Sequence, residues 1–135
     1  MQLAPNRDNH ERRIMDATTK VTIAGNSVLG YWLLVAPFVL GTSAAGRWND
    51  IVVGAMVILV AGYNYTRAVS RRPISATGAG LVAVLGLWLV VAPFALGLKG
   101  VALWNDVVSG TLVASFGSYN AYVAGSAPTL QATAQ

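Results

Sequence analysis

The decapeptide WLLVAPFVLG at residues 32–41 recurs as WLVVAPFALG at residues 88–97, each time with a proline inside an apolar run. A shift of 56 positions aligns the chain with itself without a gap. Over residues 29–65, 18 of 37 positions are identical in the second copy, including Trp-Asn-Asp at residues 48–50 and 104–106. The sequence therefore indicates a tandem duplication.

The composition is that of a membrane protein. Of the 135 residues, 55% are hydrophobic and 10% are charged. Uncharged stretches cover residues 21–46, 51–66 and 73–98, and none of the residues after Asp106 is charged. A helix crosses the hydrocarbon layer with roughly 20 apolar residues, and the polar faces that a soluble bundle needs at helical spacing are missing. We expect an all-α membrane protein with four transmembrane helices, formed by two tandem two-helix repeats.

Each repeat is predicted to be a helical hairpin. The expected helices cover residues 22–40, 49–66, 76–96 and 105–123. The expected organisation is a polar N-terminal segment (1–20), a first repeat (21–67), a basic loop (68–76), a second repeat (77–123) and a flexible tail (124–135). Because each repeat crosses the membrane twice, both repeats have the same orientation, which predicts a pseudo-two-fold axis along the membrane normal.

Basic residues predict the orientation, because lysine and arginine concentrate in short cytoplasmic segments. The N-terminal segment and the central loop together carry seven of them, and the two loops within the repeats carry only Arg47 and Lys99. We therefore expect a multi-pass protein of the cytoplasmic membrane with both termini in the cytoplasm. A cleaved signal peptide is the alternative for the first apolar run, but the run recurs internally, which favours a retained helix.

Pro37 and Pro93, each followed by a phenylalanine (Phe38 and Phe94), lie before the ends of their apolar runs. A proline inside a helix removes one backbone donor and frees the carbonyl four residues earlier. A bend that ends the helix is the simpler interpretation, and a broken helix that lines a site is the alternative. The motif also contains Trp32 and Trp88.

The Trp-Asn-Asp segments allow two interpretations. Asn49 and Asn105 could cap the following helix, with Asp50 and Asp106 in its first turn. Alternatively, the two aspartates could form a carboxylate pair that binds a cation or relays protons. Trp48 and Trp104 are expected in the headgroup region.

Small and polar residues within the helices suggest contacts between them. Glycines recur seven or eight residues apart on one face, which favours close helix packing in lipid; they are Gly54, Gly62, Gly110 and Gly117. Asn26 has no counterpart in the second repeat, where Val82 takes its place. It is expected either to form a hydrogen bond between helices or to mark a polar site.

No catalytic residues and no metal ligands are predicted, because the chain has no cysteine and a single histidine, His10. A role as an enzyme is therefore not expected. The basic residues form no patch interleaved with aromatic residues, so nucleic acid is not an expected partner. No cofactor is predicted, although the tryptophans leave open a bound lipid, quinone or pigment.

The paired motifs, GxWLxxAPFxLG and WNDxxxG, resemble those of the SPW-repeat family of small bacterial and archaeal membrane proteins. That family is named for a Ser-Pro-Trp signature, whereas both copies here read Ala-Pro-Phe, at residues 36–38 and 92–94. The resemblance covers about 95 residues. It implies a duplicated helical protein of a prokaryotic membrane, and it implies no activity.

Two functions remain from the sequence. The first is a structural or interaction module that self-associates or joins a larger membrane complex within the lipid bilayer. The second is an oligomeric channel or small transporter that uses Asp50 and Asp106.

Overall fold

The computed structural model describes the backbone of residues 3–134 and the side chains of residues 7–126. The described chain consists of four α-helices joined by short loops. They are α1 (Leu3–Val39), α2 (Ala44–Val69), α3 (Ala76–Ala95) and α4 (Gly100–Ala134). The expected all-α fold is confirmed.

Several helix boundaries differ from those predicted. The polar segment at residues 1–20 was expected to be separate, but α1 begins at Leu3 and runs without a break into the first apolar stretch. Residues 7–20 contain neither glycine nor proline, so nothing in them ends a helix. The segment predicted as a flexible tail, residues 124–135, is helical as far as Ala134, where α4 ends. Alanine, which favours helix, recurs in that stretch.

Serine side chains fix the starts of α2 and α3. The Ser43 hydroxyl accepts a hydrogen bond from the Gly46 N–H, and the Ser75 hydroxyl accepts one from the Gly78 N–H. Such N-caps satisfy backbone donors that have no partner within the helix. Because Ser43 caps α2, that helix begins five residues before the predicted start at residue 49.

The helices form a closed ring in which each helix packs against two antiparallel neighbours. Packing is most extensive within each hairpin, and α1 also contacts α4 while α2 contacts α3. In the α1–α4 pair, Thr22 meets Asn120 and Trp32 meets Asn105, so these helices run in opposite directions. In the α2–α3 pair, Trp88 meets Asn49. A two-fold axis along the bundle therefore relates the hairpins, as predicted.

The interior and the exterior are both apolar. The core is a cluster of aliphatic side chains contributed by all four helices, namely Leu33, Val53, Val57, Val82, Leu89 and Val113. Large apolar side chains also cover the outside, for example Leu59 and Val91. A continuous apolar exterior is a surface for hydrocarbon.

Three helical segments of the described chain are long and apolar enough to span a membrane: Arg7–Val39, Ala44–Val69 and Ala76–Ala95. The described part of α4 is not among them, since polar residues such as Asp106, Ser109 and Asn120 lower its hydropathy. These three side chains are buried inside the bundle. The interval between Asn105 and Asn120 corresponds to about 22 Å of helix, and α4 lies beside α1 throughout it. Burial of its polar face therefore allows α4 to cross at the same depth.

Candidate functional site

The Trp-Asn-Asp segments lie inside helices and do not start them. Because α2 begins at Ala44 and α4 at Gly100, neither helix has an acidic residue in its first turn. The interpretation of Asn49 and Asn105 as N-caps is therefore wrong. Instead, their side chains lie one turn further along, where they can reach the other hairpin.

One tryptophan of each repeat binds an asparagine of the other repeat. The Trp32 indole N–H donates a hydrogen bond of 2.7 Å to Asn105 Oδ1. At the pseudo-symmetric position, the Trp88 indole N–H donates one of 2.8 Å to Asn49 Oδ1. Each bond joins a first helix of one hairpin to the second helix of the other. The duplication thus produces a reciprocal exchange between the repeats.

Each asparagine also donates a hydrogen bond to the aspartate that follows it in the sequence. Asn49 Nδ2 donates to Asp50 Oδ1 and Asn105 Nδ2 donates to Asp106 Oδ1, both at 3.2 Å. The amide oxygen and nitrogen of each asparagine therefore have separate partners. A leucine or an ionised aspartate at either position could not both accept from an indole and donate to a carboxylate.

The two aspartates meet between the hairpins. Asp50 and Asp106 are each 1% exposed, and their carboxyl groups lie close enough to interact electrostatically. Asp106 Oδ2 is buried and accepts no hydrogen bond from a donor in the described residues. A hydrogen bond between two carboxyl groups requires a proton on one of them. A single proton held by the pair would supply a donor for this oxygen and would remove the repulsion between two carboxylates.

We call the connected side chains the crossed chain. It runs from one tryptophan through both asparagines and both aspartates to the other tryptophan, and its members are Trp32, Asn105, Asp106, Asp50, Asn49 and Trp88. The sequence placed all six in recurring motifs and offered the two aspartates as a pair, but it did not indicate which tryptophan binds which asparagine. One signal in the sequence could have revealed this pairing. Both repeats carry a tryptophan and an asparagine at equivalent positions.

The prolines lie beside this site. Pro37 and Pro93 are fully buried, and their helices end two residues later, at Val39 and Ala95. After each proline the chain turns through a glycine with positive φ, 64° at Gly41 and 68° at Gly97. This geometry agrees with a bend that ends the helix.

The aromatic residues next to the buried motif point outwards. Phe38, Phe94, Trp48 and Trp104 are all more than 60% exposed. The Arg47 guanidinium lies over the Phe38 ring, 5.3 Å from its centroid. Exposed aromatic residues at equivalent positions of both hairpins form a two-fold rim around this end of the bundle.

Close helix contacts involve three of the four predicted glycines. A Cβ on Gly54 would lie 2.8 Å from the Gly30 carbonyl oxygen, and one on Gly110 would lie 2.6 Å from that of Gly86. A Cβ on Gly117 would meet the Ala83 backbone at 2.6 Å. Gly62 has no neighbour within 4 Å of such a Cβ, so its predicted role in helix contact is wrong.

The polar residues at the other end of the bundle were only partly anticipated. Asn26 is 1% exposed, but its Oδ1 has no hydrogen-bond partner within the described chain, which does not support the expected bond between helices. Asn120 instead accepts a hydrogen bond from the Thr22 hydroxyl, at 2.7 Å. Asn64 binds both backbone polar groups of Ser75, which ties α2 to the start of α3. The sequence analysis did not assign these roles to Asn64 and Asn120.

Within the described residues, no group of three or more histidine, cysteine, aspartate or glutamate side chains is arranged to hold a metal ion.

Fold and site together define a small multi-pass membrane protein made of two equivalent helical hairpins that exchange hydrogen bonds across a pseudo-two-fold axis. The chain belongs to the SPW repeat domain family, whose model matches residues 20–120. This match confirms the expected family and covers both hairpins, although Ala-Pro-Phe replaces the Ser-Pro-Trp signature in each. No curated protein and no solved structure matches the chain.

Proposed function

We propose that this protein is a non-enzymatic structural module of the cytoplasmic membrane, which self-associates or serves as an accessory subunit of a larger membrane complex. The observation that carries the proposal is the crossed chain. Its tryptophans and asparagines form hydrogen bonds from one hairpin to the other, and these bonds hold the two hairpins in one fixed arrangement. We place both termini in the cytoplasm, on the basis of the basic residues near them.

The chemistry of the crossed chain favours a structural role over a catalytic one. Each asparagine amide both accepts and donates a hydrogen bond, and the Oδ1 atom of each aspartate accepts one. The aspartates are buried, so a substrate in the membrane or in water does not reach them. Inside a membrane, where unsatisfied polar groups are costly, such closed pairing stabilises one arrangement of helices.

The exposed aromatic rim gives this module a surface for partners. Phe38, Phe94, Trp48 and Trp104 expose large, rigid side chains at one end of both hairpins. Tryptophan in particular is frequent among residues that dominate protein interfaces. A two-fold rim suits a symmetric partner, including a second copy of this chain.

Detergent-free extraction in polymer nanodiscs, followed by native mass spectrometry, tests the proposal. We expect either a multiple of the 14.1 kDa chain mass or a complex with a second polypeptide. The double variant W48A/W104A should reduce the associated fraction. L59A is a matched control, because Leu59 is equally exposed but lies away from the rim on α2. A monodisperse monomer that carries lipid alone would contradict the proposal.

A second candidate function, passage of protons or ions in an oligomer, is favoured by the contact between Asp50 and Asp106. Ionisable residues inside a membrane are often part of proton or ion pathways. Reconstituted vesicles with an internal pH-sensitive dye test this candidate. This candidate predicts a proton or ion flux above that of protein-free vesicles. The flux should be lost in D50N/D106N and kept in the surface variant L59A. Equal flux in vesicles with and without the protein would reject it.

A further inference from the structure

A cavity of about 740 Å³ lies at the end of the bundle opposite the crossed chain. It is open on one side and lined by α1, by the end of α2 with the loop that follows it, and by α4. The residues involved are distant in sequence from the Trp-Asn-Asp segments, and the proposed structural role does not use them.

The charged side chains that line this cavity are mostly basic. Four are basic and one is acidic, namely Arg13, Lys20, Arg71, Arg72 and Asp16. They come from α1 and from the loop between the hairpins. Apolar side chains such as Ile74 and Val123 complete the lining. A basic cavity with apolar walls, at an end of a helical bundle near the membrane surface, suits the anionic headgroup of a lipid.

Arg71 occupies a backbone position that favours glycine. Its φ is 57°, and it is the one residue other than glycine with positive φ among those described. The same turn follows α1 and α3, where Gly41 and Gly97 take the equivalent place. In all three turns the next residue donates its N–H to the carbonyl five positions earlier. At the end of α2, an arginine that lines the cavity replaces the residue that the turn prefers.

The loop that carries Arg71 and Arg72 is held by a different arginine. Arg67 Nε donates to the Pro73 carbonyl oxygen at 2.6 Å, and Arg67 Nη1 donates to the Tyr63 hydroxyl at 2.8 Å. Asn64 secures the same loop through Ser75. The two cavity arginines therefore project from a preorganised loop, which lowers the entropic cost of binding.

A buried hydroxyl in the cavity wall has no partner. Thr19 is 6% exposed, and its Oγ1 makes no hydrogen bond to any group in the described chain. A buried polar atom without a partner is costly, unless a bound group satisfies it. Thr19 lies between Asp16 and Lys20 on the wall formed by α1.

From these observations we propose that the cavity binds a phosphate-bearing anion, through Arg71 and Arg72 of the loop together with Arg13 and Lys20 of α1. The phosphate oxygens accept hydrogen bonds from the guanidinium groups and from Thr19. Two sources share this chemistry: the headgroup of an anionic phospholipid and free inorganic phosphate. The apolar part of the lining is suited to the glycerol and upper acyl region of a lipid.

Thermal unfolding of the delipidated protein in neutral detergent tests this site with three additions: phosphatidylglycerol, phosphatidylcholine and inorganic phosphate. We expect phosphatidylglycerol to raise Tm more than phosphatidylcholine does. A comparable rise with inorganic phosphate alone would assign the site to the free anion. In R71Q/R72Q the apparent affinity should fall about tenfold or more, as expected for the loss of charge-assisted hydrogen bonds.

Two further variants distinguish the loss of the binding site from a general loss of positive charge and from a loss of folding stability. R7Q/R12Q removes the same charge from exposed positions outside the cavity and should respond like the wild type. R71G suits the positive φ, so it should fold at least as stably as the wild type while responding more weakly to the anion. The site is refuted if neither phosphatidylglycerol nor phosphate raises Tm beyond phosphatidylcholine. The site is also refuted if the anion raises the Tm of R71Q/R72Q as much as that of the wild type. It is refuted as well if R7Q/R12Q loses this rise in Tm to the same extent as R71Q/R72Q.

Discussion

The indole N–H of Trp32 donates a hydrogen bond of 2.7 Å to the side-chain oxygen of Asn105, 73 residues away in the other repeat. Its pseudo-symmetric counterpart joins Trp88 to Asn49. Because each bond crosses from one hairpin to the other, the two repeats are joined by the residues that recur most exactly between them.

Loss of either indole donor should destabilise the bundle. We expect W32F and W88F each to lower the free energy of unfolding by about 1 kcal/mol, the usual net value of one hydrogen bond. The two effects should be similar because the environments are equivalent. Unfolding in mixed micelles with increasing denaturing detergent provides the measurement.

W48F and W104F are the matched controls for those variants. Trp48 and Trp104 are highly exposed and make no side-chain hydrogen bond to the described residues. Their replacement should change the free energy of unfolding by less than about 0.5 kcal/mol. An equal loss in W48F and W32F would show that the hydrogen bond to Asn105 is not what stabilises the bundle.

The carboxyl pair should carry a proton that is visible by infrared spectroscopy. Asp50 and Asp106 are both buried and lie close enough to repel one another when both are ionised, so we expect one of the two carboxyl groups to carry a proton. The wild type should therefore show the carbonyl stretching band of a buried protonated carboxyl group at neutral pH. D50N/D106N should lack it, whereas D8N, an exposed control, should keep it. A spectrum of the wild type without that band would contradict the shared proton.

Glycine-to-alanine substitutions should distinguish glycines at close helix contacts from glycines on an open surface. G110A places a methyl group 2.6 Å from the Gly86 carbonyl oxygen, and the backbones of α3 and α4 must move apart to accept it. We expect a loss of about 1–3 kcal/mol in the free energy of unfolding. G62A, which meets no neighbour within 4 Å, should be neutral or stabilising by up to about 1 kcal/mol. A comparable loss in both variants would contradict the packing described.

The hairpin repeat and its orientation relative to its copy could be predicted from the sequence, because a gapless shift of 56 positions admits few alternatives. Hydrophobic runs likewise identified the four helices. The starts of α2 and α4 could not be placed, because Asn49 has the chemistry of an N-cap and Ser43 has it too. Only the packed backbone distinguishes them.

The site was harder to predict than the fold. The aspartates were recognised as a possible pair, but their contact depends on how two hairpins pack, and no spacing within one hairpin encodes it. Gly62 follows Gly54 by eight residues and was expected to share its role, yet a Cβ on Gly62 would meet no neighbour within 4 Å. The basic cavity also escaped sequence analysis, since its arginines read as ordinary signals of cytoplasmic orientation.

The most direct test of two parallel hairpins is cysteine labelling of the turns near residues 48 and 104. Because the chain has no cysteine, W48C and W104C each introduce a unique thiol. A membrane-impermeant maleimide should label both variants in intact cells or right-side-out vesicles, and neither in inverted vesicles before the membrane is opened. Labelling of the two positions from opposite sides of the membrane would contradict the parallel arrangement and the crossed chain that depends on it.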